Sequence, residues 1–106
     1  MALKNWSLAS VAANTLTDLI SPTASKEIAI VGLIICNDES TNTAAVAVTL
    51  TSSGNTKGVV WKGSLVAGES VHIDTKLFIA ASATPDKVRV LSDQANVSFI
   101  ASGDES

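Results

Sequence analysis

A chain of 106 residues allows one domain and leaves little room for a second. Hydrophobic residues make up 46% of it and aromatics only 4%, with no tyrosine, while Val, Ile and Thr together exceed a quarter. These branched side chains favour a pleated surface, so the composition predicts β structure. The net charge of −3 and the lack of any Lys or Arg run exclude the clustered cations that a phosphate backbone needs, so no nucleic-acid partner is expected.

In chain order, residues 1–13 read as an N-terminal arm carrying Leu3, Trp6 and Leu8, with WSLAS (6–10) a weak strand pattern. This opening lacks the continuous apolar segment of a secretory signal, which predicts a protein made in the cytoplasm. TLTDLI (15–20) is a short strand. IAIVGLIICN (28–37) follows, an almost unbroken apolar run far short of the roughly 20 residues of a membrane helix, so no membrane partner is expected. As a regular strand it would set Ile28, Ile30, Gly32, Ile34 and Cys36 on one face and Ala29, Val31, Leu33 and Ile35 on the other. Both faces would then be apolar, whereas an antiparallel sandwich normally wets one.

Alternation is cleaner downstream. TAAVAVTLT (43–51) puts Val46, Val48 and Leu50 on one face. KGVVWKGSLV (57–66) puts Val59, Trp61 and Leu65 on one side and Val60, Lys62 and Ser64 on the other. SVHIDTKLFI (70–79) directs Val71, Ile73, Leu77 and Ile79 inward, DKVRVLS (86–92) directs Val88 and Val90, and ANVSFIA (95–101) directs Val97, Phe99 and Ala101. Gly54, Gly58 and Gly68 supply positive φ in the separators, and Pro22 and Pro85 fall between strands. Seven or eight short strands without a helical period describe an all-β protein, an antiparallel β-sandwich or small barrel in one domain over residues 14–106.

Parts for catalysis are few. His72 is the single histidine, in an outward register two residues from Asp74, and Cys36 is the single cysteine, expected to be a buried thiol. Together they leave a zinc site short of ligands. The carboxylates lie mostly in turns, where Asp bonds nearby backbone donors. SSGNTKG lacks the spacing of a phosphate-binding loop. No catalytic residue, metal or cofactor is expected, and the chain reads as a non-enzyme.

Apolar residues at outward positions are the anomaly. Val31, Leu33 and Ile35 or their alternates, together with Val60, Phe78, Leu91 and Ile100, would leave oily surface on the outside, which on a soluble protein marks an interface. Three arrangements would cover it: a neighbouring subunit, the N-terminal arm folded over the face, or a β-bulge that shifts the register. Trp6, Leu8 and Trp61 are further interface candidates, with ordinary core positions as the alternative for the tryptophans. Unpaired sheet edges add a reason for assembly into a homo-oligomer, a dimer or trimer.

The succession LTDLISP, a strand ending in IICN, AAVAVTL, KGSLVAGESVHI and a closing NVSFIASGDES resembles small tailed-bacteriophage virion proteins over residues 14–105. That resemblance implies a jelly-roll-like β-sandwich made in a bacterial host and carried on the capsid exterior. The implied function is that of a head decoration (cement) protein, which clamps joints of the major capsid protein and contacts copies of itself. A neck or tail component, or a carbohydrate-binding host-attachment module, is the alternative.

Overall fold

The computed structural model describes residues 2–106, which form nine strands and no helix. These are β1 (Ala2–Leu8), β2 (Thr17–Ile20), β3 (Ile28–Asn37), β4 (Ala44–Ser52), β5 (Asn55–Leu65), β6 (Ser70–Ile73), β7 (Leu77–Ile79), β8 (Lys87–Ser92) and β9 (Val97–Glu105). The segment expected as an arm is largely strand β1, and the single strand expected over 70–79 is divided into β6 and β7.

Local chemistry sets the central reversal. Ser53 (φ 50°) and Gly54 (φ 84°) both adopt left-handed conformations between the paired residues Ser52 and Asn55. Two such residues make the tight turn whose twist matches its flanking strands. Gly68 (φ 82°) serves the turn before β6, whereas Gly58, expected in a turn, lies within β5 opposite Leu50. From the Ser53–Gly54 turn the chain pairs outward in both directions: β4 with β5, β3 with β6 and β7, β2 with β8, and β1 with β9. This long hairpin is rolled up, giving one sheet ordered β1-β9-β3-β6 with β7 also on β3, and a second ordered β2-β8-β4-β5. Every pairing is antiparallel, and the order is that of a jelly-roll β-sandwich.

Side chains from the two inner faces fill the core. Ile20, Ile28, Ile35, Ile79, Val48, Val90, Val97 and Phe99 are fully buried. The apolar run of β3 owes its second face to a bulge: Ile30 opposes Gly103 of β9, yet the next partner of Ser102 is Gly32, so Val31 is the extra residue. Ile28 and Ile30 point inward before the bulge, and Leu33 and Ile35 point inward after it. Gly103 is required where β9 passes the bulge, because a Cβ there would collide with the carbonyl oxygen of Ala29.

Asn37, fully buried at the end of β3, pins one rim of the sandwich. Its Nδ2 donates to the carbonyls of Asn42 and Leu65, both at 2.9 Å, and its Oδ1 accepts from the Glu39 amide at 2.9 Å. Its backbone also bonds Glu69 and Gly68, so two loops are held by one side chain and its peptide groups.

Candidate functional site

Ladder pairing sets the outer face of the five-stranded sheet. Ile34 of β3 stands beside Ile100 of β9 on one side and His72 of β6 on the other. Farther along, Ala29 stands between Asp104 and Phe78. Val31, lifted out by the bulge, lies between these two rows. Val31 and Phe78 are more than half exposed, and Ile34 and Ile100 are each more than a third exposed. The result is an apolar strip across three strands with small polar residues, Ser98 and Ser102, along β9. Asp104 lies at one end, and its Oδ1 is buried with no hydrogen-bond partner.

The outer face of the four-stranded sheet has a different chemistry. Asp18 accepts from Arg89 Nε at 2.8 Å and faces Lys87 Nζ at 3.5 Å. Away from that face, at the end of the sandwich beside Phe78 and Ser82, Lys57 pairs with Asp86 at 2.9 Å, and the Lys57 hydrogen bond holds the Asp86 carboxyl below its usual range against an opposing push from burial. Ala45 and Ala47 floor a shallow groove of about 370 Å³ beside Lys62, Leu91 and Asp93.

The ten residues singled out as interface candidates separate into groups. Val31, Phe78, Leu91 and Ile100 are exposed, the first two and Ile100 on the five-stranded sheet and Leu91 on the other. Leu33 and Ile35 are corrected: both are core residues, 3% and 0% exposed, because the bulge at Val31 reverses the alternation behind it. Val60 is corrected in part. It is the extra residue of a second bulge, between Trp61 opposite Val48 and Val59 opposite Thr49, so it is half-buried and Val59 is exposed in its place. Trp6, Leu8 and Trp61 are half-buried and lie against the core. The arm does not cover the apolar strip, since β1 extends the same sheet at its edge. Ile34, one of the alternates to Val31, Leu33 and Ile35, belongs to the strip; the bulge takes Val31 from one set and Ile34 from the other, and only its position reveals that split.

His72 is exposed in its strand, and Cys36 is half-buried on the outer face rather than in the core. Among the described residues no three of His, Cys, Asp and Glu approach as metal ligands would.

No protein-family model matches the chain, and no curated protein matches it. Among solved structures, it is similar to a chain in the structure of infectious bursal disease virus Gx strain, with a TM-score of 0.51 and 14% identity, covering 96% of this chain and 33% of that one. A second match is to the CBM22-1–GH10 modules of the Clostridium thermocellum endo-1,4-β-D-xylanase 10B complexed with xylohexaose. Its TM-score is 0.32 at 18% identity, over 83% of this chain and 18% of that one, too loose a likeness to bear on the fold. Strand order and the viral match together define the class: a two-sheet jelly-roll domain. It spans about a third of the viral chain it resembles.

Proposed function

We propose that the chain is a structural subunit of a virus particle, and more narrowly a decoration (cement) protein on the outside of a tailed-phage capsid. The apolar strip of Val31, Ile34, Phe78 and Ile100 carries this reading, because it gathers on one outer face what a solitary protein would distribute or hide. The fold it shares with a chain of a virus structure supports the virion setting. An acidic balance, −3 at neutral pH, suits a surface away from packaged nucleic acid.

The mechanism is mechanical. The strip seats on the major capsid protein across a joint between its copies. Burying a few hundred Å² of apolar surface contributes on the order of 10 kcal/mol before the costs of association. A carbohydrate-binding role is less well supported, since Trp6 and Trp61 lie half-buried against the core and form no exposed stacking platform.

The experiment is quantitative detection of the chain in density-purified particles, together with heat release of nucleic acid from particles made with and without it. The reading expects many copies per particle and release at lower temperature without the chain. Particles free of the chain would overturn it.

A further inference from the structure

Four edges bound the sandwich, and three of them are poor templates for pairing. β5 carries two register shifts against β4 as well as Lys57 and Lys62. β2 has only four residues and a shift at Asp18/Ile20. β6 and β7 share one edge in short pieces separated by Asp74–Lys76. Bulges, brevity and lysines are the devices that keep sheet edges from joining. β1 has little of this. Its seven residues run in unbroken register from Ala2 opposite Glu105 to Leu8 opposite Phe99, with no proline. Its one charge, Lys4, is engaged within the chain: Nζ lies 3.1 Å from Glu105 and 5.6 Å from the centroid of the Trp6 ring. Backbone groups of Ala2–Leu8 bond no segment other than β9 among the described residues.

We infer that β1 pairs with β1 of a second copy, antiparallel and centred on Asn5. The sequence of the strand selects the register. Side chains alternate between faces, so only a centre on a residue keeps inner side chains with inner ones. A centre at Lys4 sets Lys4 against its own copy and pairs five residues. A centre at Trp6 also pairs only five. The centre at Asn5 pairs all seven: Ala2 with Leu8, Leu3 with Ser7, and Lys4 with Trp6 of the second copy. That last pair sets an ammonium beside an indole from each side, so the charge of each strand meets an aromatic ring and not a like charge.

The geometry has a consequence for binding. Pairing in the plane of the sheet sets the twofold axis normal to it, so both five-stranded sheets join into one and both apolar strips face the same way. A dimer would then present the strip twice to a single surface, and the second contact would form at high effective concentration. The dimer itself rests on β1 alone and stands whether or not the particle reading holds.

Sedimentation velocity of the full chain, from micromolar to millimolar, tests it with Asn5→Lys and Asn5→Asp. Asn5 is exposed, so both variants keep the fold, which thermal unfolding checks. Wild type is expected to dimerise with concentration. Each variant alone sets like charges across the axis and weakens the dimer at least about tenfold, while an equimolar mixture of the two recovers it. A wild type that stays monomeric would overturn the inference. So would variants that dimerise as wild type does, or a mixture that fails to recover.

Discussion

The two outer faces of the sandwich grow from the same kind of alternating strand, yet one carries a strip of isoleucine, valine and phenylalanine, and the other carries ion pairs and alanines with only Val59 and Leu91 as exposed large apolar residues among its strands. On the four-stranded sheet the outward positions of β4 and β8 are Ala45, Ala47, Thr49, Lys87, Arg89 and Leu91, so small and charged residues surround a single exposed leucine. On the five-stranded sheet, the bulge at Val31 lets β3 bury Leu33 and Ile35, and in doing so it turns Ile34 outward beside Ile100. One extra residue therefore answers half of the problem posed by the apolar run and sharpens the other half. The core receives two large side chains that simple alternation assigns outside, and the surface receives one that it assigns to the core.

The largest test of this contrast lies within β3. Leu33→Ala should destabilise the protein by about 3 kcal/mol and Ile34→Ala by less than about 1 kcal/mol, measured by urea unfolding. Equal costs, or the reverse order, would break the assignment of faces. Next comes the rim shared by both sheets. Asn37→Ala leaves the Leu65 carbonyl and the Glu39 amide without their partner and should cost about 2 kcal/mol.

The smallest effect belongs to the Lys57–Asp86 ion pair at the end of the sandwich. The Asp86 pKa is lowered in the folded state relative to its ordinary 3.8, chiefly by the Lys57 hydrogen bond. Its contribution is therefore full above the ordinary carboxyl value and is lost as pH falls through the lowered one. Lys57→Met should cost about 0.5 kcal/mol at neutral pH, and the difference from wild type should vanish in strong acid. A difference that grows on acidification would contradict the sign.

Much of the fold was legible in the residues. Val46, Val48, Val88, Val90, Val97 and Phe99, all read as inward from alternation, are buried. The β character and the two-sheet closure follow from branched side chains and turn residues. Bulges were not legible at their positions, because an inserted residue leaves the local pattern apolar and shifts only the parity that follows. Hence alternation alone leaves open whether Leu33 and Ile35 or Ile34 face outward, and it interchanges Val59 and Val60. β1 escaped for another reason: its pattern, Leu3, Lys4, Asn5, Trp6, Ser7, Leu8, mixes a charge into the inner face of an edge strand, where only the pairing with β9 makes it a strand.

The most direct measurement is co-sedimentation of the purified chain with density-purified particles stripped of it, comparing wild type with Ile34→Ser/Ile100→Ser and with Ala45→Ser/Ala47→Ser. The apolar-face variant should bind at least about tenfold more weakly while unfolding within about 1 kcal/mol of wild type, and the polar-face variant should bind as wild type does. Equal binding by all three proteins, or loss only in the Ala45/Ala47 variant, would contradict the claim that the outer face of the five-stranded sheet is where the chain meets its partner.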